Sequence, residues 1–564
     1  MGSFYKFWVI FFLNEAQSAR ILGLFPHPGK SHQIVFDPVM KALAGRGHEI
    51  TVMTFFPHRV PPENYKEVNL QSLTQPKLDF IMIDSYEKPS WIKKIPIVGN
   101  IWDQYIQHID LANDALEICK KMIQFPPVVD TLKKQYDLVI VENFAGDCML
   151  GLISAFGIKA PVVGLSSPQL LPNKARRMGA DDNPAYVPIV TSSFSHKMSF
   201  FQRVENTIVH YLSDKVYQTL RKNERMLIEK SFGRRIPDIQ ELANNQSLIL
   251  VNSYHVLNGV YPRVPGIVEV GGIHIQPKTN TIPMFIEKYL NESNHGVILF
   301  SFGSSLCSSS LSRKTENELI KSFSKLKQRV IWKHSESSEG GSFIGKNILR
   351  LKWIPQAQLL QHPKVLALVG HGGLLGIMEA VTFGKPIVAI PVFADHRSNA
   401  AAVEAAGIGV ILPISDLQAN NFVRAIGIVL SQRMRERARL VSAMWHDREQ
   451  LPLDTAVYWT ERVIRWGNQS PLSSQAKYLT FYQYALLDVA AFLTLLFTLL
   501  LLTLYYITKY IINFFKNSHL KVVIKEKSVD VPRNAWLGAS LVVDVTDKEF
   551  WERVGDDMSN SKKN

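Results

Sequence analysis

The sequence predicts an α/β protein with two doubly wound, Rossmann-like domains and one apolar helix near the C-terminus. Three observations carry this. Arg20 to Leu24 is a short apolar run. It is followed by a helical pattern from Ser31 to Leu43, with Ile34, Val35, Val39 and Leu43 on one face, and then by a second run from Ile50 to Phe55. Strand, helix and strand at this spacing open a doubly wound sheet. The same alternation resumes in the second half, with strands expected at Gly296 to Phe300, Val330 to Lys333, Val365 to Val369 and Ile387 to Ile390. The third observation is Val489 to Ile507, an uncharged run of 19 residues. Roughly 20 apolar residues span a bilayer core.

Further strands are expected at Leu78 to Ile83, Tyr136 to Val141, Pro161 to Leu165 and Leu248 to Val251. Helical patterns cover Phe200 to Tyr217 and Val216 to Lys230. Together with the loops near Trp91 and Trp102, this region is expected to form a pocket for a small molecule. Pro262-Arg263-Val264-Pro265-Gly266, with Gly271-Gly272 beyond, reads as a linker. The domains are therefore drawn at 20–260 and 261–470. The second opens with a helix from about Pro283 to Asn291, and another helix is expected near Phe422 to Gln432. The segment to Trp466 is expected to pack back across the first domain.

The chain has 564 residues and a net charge of +14. Its Lys and Arg are spread along the chain and no nucleic-acid motif accompanies them. The basic excess therefore fits a membrane-associated protein with anionic ligands better than a nucleic-acid binder. Only Cys119, Cys148 and Cys307 occur, too few for a disulfide scaffold or a Cys-based zinc site. Phe4 to Leu13, followed by Glu15 and the small residues Ala16, Ser18 and Ala19, reads as a secretory leader covering 1–19. A membrane span is drawn at 486–508 and a tail at 509–564. Lys509, Lys516, Lys521, Lys525 and Lys527 follow the span, so the positive-inside rule puts the tail in the cytosol. Asn245-Gln246-Ser247 and Asn291-Glu292-Ser293 are glycosylation acceptors that suit lumenal domains.

The most informative stretch runs from Trp353 to His396. Val365 to Val369 feeds His371, Gly372 and Gly373 and then a helical pattern. A strand that enters a helix through a turn without side-chain bulk turns free amides and the positive helix end toward an anion. Glu379 lies eight residues after His371, about two turns on, so both can face one crevice. Trp353 offers a flat ring on which a base can stack. Ser301-Phe302-Gly303-Ser304-Ser305 is a second small loop after a strand, able to offer amides and hydroxyls to phosphate. Gly29-Lys30-Ser31 imitates the end of a P-loop. The required glycine five residues before Gly29 is absent, because Leu24 stands there.

This stretch resembles the donor-binding signature of the UDP-glycosyltransferases. The resemblance, over about Arg20 to Lys516, implies the GT-B arrangement, with acceptor on the first domain and donor on the second. It assigns Trp353 to the uracil, Gln356 to base and ribose, His371 to the diphosphate and Glu379 to the ribose. Asp395 and His396 take the sugar hydroxyls. Ser301, Gly303, Ser304, Gly373 and Gly376 complete the donor set. His396 stands where most members have Gln, and Gly376 where many have Ser. His32, just after the first strand, is implied as the base, with an Asp after the strand at Tyr136 to Val141 as its partner. Asp147 is the first choice for that acid and Glu142 its competitor. The implied reaction is inverting transfer of a hexose from a UDP-sugar to a hydroxyl of a small lipophilic acceptor. UDP-glucose is the first donor expected, ahead of UDP-galactose and UDP-glucuronate. A non-catalytic UDP-sugar-binding accessory protein is the rival reading. No cofactor or metal is expected, and the chain carries no Asp-x-Asp triplet. The endoplasmic reticulum membrane is the implied location, and the resemblance leaves room for a homo-oligomer.

Overall fold

The computed structural model describes residues 18–517 apart from 77, 79, 88–90, 93–94, 277–281, 339 and 470. The leader expected at 1–19 lies almost wholly outside the described residues, as does the tail beyond 517. The first compact unit runs to Tyr478 and holds both seven-stranded sheets and a two-stranded one, and the second begins at Leu479.

In the first half the strands are β1 (Arg20–Leu24), β2 (Glu49–Thr54), β3 (Tyr65–Asn69), β4 (Ile81–Met82), β5 (Leu138–Glu142), β6 (Val162–Ser166), β7 (Leu248–Val251) and β8 (Ile267–Glu269). Seven of them form a parallel sheet in the order β3-β2-β1-β5-β6-β7-β8. In the second half they are β9 (Val297–Ser301), β10 (Leu306–Cys307), β11 (Arg329–Lys333), β12 (Ser342–Ile344), β13 (Ile348–Leu351), β14 (Val365–Gly370), β15 (Ile387–Ala389) and β16 (Gly409–Ile411). Their sheet runs β12-β13-β11-β9-β14-β15-β16, parallel except at the β12 edge. Helices cover both faces, so central strands are apolar throughout. Every residue of β5 is buried.

Each sheet reverses its winding once, between β1 and β5 in the first and between β9 and β14 in the second. A crevice opens beyond the carboxyl ends of the strands at such a switch point. His32 follows β1 and Glu142 ends β5. Ser301 ends β9 and His371 follows β14. All four chemistry-bearing positions therefore sit at the two switch points.

Several expectations need correction. The 78–83 run contributes only β4, which pairs with β10 in a separate two-stranded sheet and not with the first sheet. Ile83 is buried among Phe300, Phe302 and Leu306. The edge position of the first sheet belongs instead to β3, whose Tyr-Lys-Glu-Val-Asn pattern is too polar to stand out. The first domain extends past residue 260, because β8 joins its sheet beside β7. The two helices expected between Phe200 and Lys230 are one, Phe200–Phe232, started by a Ser199/Gln202 capping box and ended at Gly233 in the left-handed region. Cys119 and Cys148 are disulfide-bonded, tying the Val98–Ile123 helix to the Cys148–Ala155 helix.

The Pro452–Trp466 helix returns to the first sheet, where Ala456, Val457 and Val463 join the cluster of Val35 and Val39. Its Glu461 pairs with Arg46 at 3.1 Å. In the second unit the Leu487–Asn517 helix contains a span of 30 residues, long and apolar enough by length and composition to cross a membrane. It continues beyond the expected end at 508 and takes in Lys509 and Lys516.

Candidate active site

His32 lies in the first turn of the Lys30–Gly45 helix, which leaves β1 through the turn at Pro26 to Gly29. Its Nδ1 meets the Glu142 carboxylate and lies 2.8 Å from Ser167 Oγ. The ring stacks on His27 at 3.8 Å and takes the edge of Phe144 at 4.6 Å. His27 also donates its backbone N–H to the second Glu142 oxygen at 3.1 Å. Glu142 thus accepts from both ends of one turn and fixes the imidazole. A carboxylate on Nδ1–H selects the tautomer in which Nε2 carries the lone pair. Burial pushes the His32 pKa down and the Glu142 pKa up to about 7, with the His27 contacts opposing the latter. The imidazole is therefore held neutral.

Asp147 is elsewhere. The structure overturns the expectation that it partners His32, and Glu142 holds that place. Asp147 is buried, with Arg177 Nη1 at 2.8 Å, Lys174 Nζ at 3.3 Å and Arg221 Nη1 at 3.8 Å. Burial pushes its carboxyl up, but these three cations prevail and hold it well below the usual carboxylate range. Arg177 also donates to Asn143 Oδ1 at 3.0 Å, and Glu224 accepts the Asp147 N–H at 3.2 Å. The cluster braces the loop that leaves β5.

On the second sheet, His371 is wedged between two glycines. A Cβ at Gly303 would come 2.5 Å from its Cε1, and one at Gly373 2.3 Å from its Nε2. Gly303 and Gly372 also have positive φ, and a Cβ at Gly372 would meet the His396 carbonyl oxygen at 2.6 Å. No side chain caps the Leu374–Thr382 helix at Gly373, so its first amides are open to an anion. Ser301 Oγ accepts the Gly303 N–H at 3.2 Å and shapes the opposite loop, with Ser304 half-buried beside it. Burial lowers the His371 pKa to about 4, with a Ser301 backbone contact opposing.

Trp353 is 60% exposed, a ring face ready to be covered. Gln356 Nε2 donates to Glu379 Oε2 at 2.7 Å, and a Cβ at Gly376 would press on that amide at 3.0 Å. Glu379 is part-buried, with 15% of its side chain exposed, and desolvation raises its pKa to about 7 against the Gln356 hydrogen bond. Asp395 accepts from Asn399 Nδ2 at 2.8 Å. His396 is buried with its ring edge-on to His371 at 4.5 Å and to Phe393 at 4.6 Å. Ala394 just before them adopts φ +49, and Gln107 of the first domain holds its N–H at 2.8 Å.

Asn399 joins the two half-sites. Its Oδ1 accepts from Gln169 at 3.1 Å, two residues beyond the Ser167 that touches His32, and its Nδ2 donates to Gly372 O at 3.1 Å and to Asp395. A continuous path therefore runs from the imidazole to the glycine turn after His371. Sequence reasoning missed Ser167, His27 and Phe144. It also missed His274 of the linker, whose Nε2 lies 3.8 Å from Glu379 Oε1. None stands in a pattern that spacing reveals. Glu142 had a signal, since it ends a buried strand at the level where β1 ends.

Two doubly wound sheets, with an imidazole–carboxylate pair at one switch point and open helix-end amides beside a His at the other, have the arrangement of a nucleotide-dependent group-transfer enzyme. The same fold occurs in the glycosyltransferase of kitacinnamycin, with a TM-score of 0.50 at 16% identity over 79% of this chain and 98% of that one. VinC, solved with dTDP, gives a TM-score of 0.50 at 15% identity over 79% of this chain and 100% of that one. Residues 24–525 match the family model for UDP-glucoronosyl and UDP-glucosyl transferases. UDP-glucosyltransferase 2 of Dactylopius coccus is 34% identical, covering 91% of this chain and 97% of that protein. UDP-glucuronosyltransferase 2B1 of Rattus norvegicus is 30% identical, covering 82% and 88%. The chain belongs to the UDP-glycosyltransferase family, and its fold is GT-B. It is a glycosyltransferase that binds a UDP-sugar.

Proposed function

We propose that this enzyme moves a hexose, with UDP-glucose as first donor, to a hydroxyl of a small lipophilic acceptor with inversion. The His32–Glu142 pair at the first switch point, joined through Asn399 to the His371 turn, carries this reading. His32 Nε2 removes the hydroxyl proton, and Glu142 stabilises the imidazolium that forms. The acceptor oxygen then forms the bond to the anomeric carbon as the bond to UDP breaks. His371 and the open amides beyond Gly373 meet the charge on the leaving diphosphate. Trp353 covers the uracil, Glu379 and Gln356 hold the ribose, and Asp395 takes sugar hydroxyls.

UDP-galactose and UDP-glucuronate are kept as alternative donors, because His396, whose ring packs on His371, stands where most members of the family have Gln. Transfer is proposed to need no metal. Among the described residues, His27, His32 and Glu142 bring ligand atoms within 4.8 Å of one another. However, the two rings stack with planes only 19° apart, so their in-plane lone pairs do not converge on one ion. A lumenal, single-span placement in the endoplasmic reticulum membrane rests on the Leu487–Asn517 helix, the Cys119–Cys148 bond and the exposed Asn245 and Asn291.

The test is a donor panel on microsomes carrying the protein or its His32→Ala variant. UDP-glucose, UDP-galactose, UDP-glucuronate and UDP-N-acetylglucosamine are supplied with mixed phenols and lipid alcohols, with and without EDTA. Transfer lost in His32→Ala and indifferent to EDTA is expected. UDP binding without transfer from any donor would favour the accessory reading.

A further inference from the structure

Asp395 and His396 belong to the second domain, yet the first domain grips the chain on both sides of them. On one side, Gln107 Oε1 accepts the Ala394 N–H at 2.8 Å. On the other, Asp103 Oδ2 accepts from Arg397 Nη2 at 2.8 Å. The same Asp103 oxygen accepts from Gln107 Nε2 at 3.1 Å, so the two holds are one unit. Asp103 and Gln107 stand one helical turn apart on the Val98–Ile123 helix and share a face. Ser398 and Asn399 extend the contact, to Val190 O at 2.6 Å and to Gln169 at 3.1 Å.

The local chain does not favour this conformation by itself. Ala394 has φ +49, which glycine adopts freely and alanine keeps only where its surroundings hold it. The Gln107 bond supplies that hold at the Ala394 amide itself. Arg397 lies in the first turn of the His396–Ala405 helix, where a cation opposes the helix dipole. Its partner Asp103 is 6% exposed, so the pair is little screened and offsets that opposition. Trp353, Gln356 and Glu379, assigned to the nucleoside, lie on other segments, and none of these bonds involves them.

We propose that Asp103 and Gln107 are positioning residues for the donor sugar, holding Asp395 and His396 where they meet its hydroxyls. The domain that receives the acceptor thereby takes part in choosing the hexose, and full sugar recognition needs both domains. This rests on the reading of Asp395 and His396 as the sugar-hydroxyl residues.

The experiment is calorimetric titration of the detergent-solubilised full chain with UDP, UDP-glucose, UDP-galactose and UDP-glucuronate. It reads the affinity of each UDP-sugar relative to UDP, and so needs neither acceptor nor turnover. Gln107→Met keeps the side chain's length and loses both hydrogen bonds. Asp103→Asn keeps the shape and loses the charge pair. In each, the preferred UDP-sugar is expected to bind about fivefold more weakly, the order of one hydrogen bond, and the spread among the sugars to narrow. UDP affinity stays within about twofold of the parent, which shows that the nucleotide site is folded. Ala394→Gly added to Gln107→Met is expected to recover part of the loss, because glycine takes this φ without strain. Equal weakening of UDP and the UDP-sugars, or a loss that Ala394→Gly leaves untouched, would overturn the proposal. So would sugar ratios that neither variant changes while Asp395→Asn does. Ratios unchanged in Asp395→Asn as well would remove the sugar reading itself, and the proposal with it.

Discussion

Two carboxylates leave the same strand end, Glu142 at the last position of β5 and Asp147 at the start of the next helix, and they have opposite environments. Glu142 faces two imidazoles and a backbone N–H, with no Lys or Arg paired to it among the described residues. Asp147 faces Arg177, Lys174 and Arg221. Burial acts on both alike, raising Glu142 to about 7, while the cations drive Asp147 the other way. An acid that must meet a transient imidazolium needs a partner without fixed compensation. An acid that braces a loop needs that compensation complete. Proximity in sequence therefore says little about role; the sign of the neighbours says a great deal.

The largest expected effect separates the two acids directly. Glu142→Gln keeps shape and loses charge, so kcat falls about 10²- to 10⁴-fold while the unfolding midpoint stays near that of the parent. Asp147→Asn leaves three buried cations without their counter-charge. We expect a loss of about 3–5 kcal/mol in denaturant unfolding, as when one partner of a buried pair is removed. An Asp147→Asn protein with the parent's midpoint and no transfer would reverse the assignment. The disulfide sharpens the same point, since Cys148 follows Asp147 and fixes the brace. Cys148→Ser should cost about 2–4 kcal/mol of stability, and its residual folded fraction should retain the parent's pH profile. Trp353→Ala lies outside the comparison and should weaken UDP binding by about 1–3 kcal/mol, measured by calorimetry, with unfolding unchanged.

The smallest effect is the pH dependence. Burial raises Glu142, so its carboxylate forms only as pH climbs through about 7. The kcat/KM should rise with pH through that range and fall about tenfold per unit below it. This limb should vanish in Glu142→Gln and persist in any Asp147 variant that folds.

Much of the donor half was legible because it is local. His371, Gly373, Gly376 and Glu379 belong to one strand–turn–helix unit, whose spacing fixes their mutual geometry before any tertiary contact forms. The glycines follow from the same geometry, since any Cβ at Gly303 or Gly373 would occupy the imidazole's space. The acceptor half was less legible. The polar edge strand β3 carried no clear period, and β4 leaves the first sheet to pair with β10, because Ile83 is buried in the core of the second domain.

The sequence alone therefore determined the two alternating α/β halves, the glycine turn after His371, the place of His32 after β1 and the long apolar helix. Each of these depends on periodicity or spacing within a few turns of chain. Only the tertiary structure decided which acid serves His32. Lys174 and Arg177 stand 27 and 30 residues beyond Asp147 in the chain and reach it only when the fold is closed. Once they neutralise Asp147, Glu142 is the carboxylate left to hold the His32 imidazole.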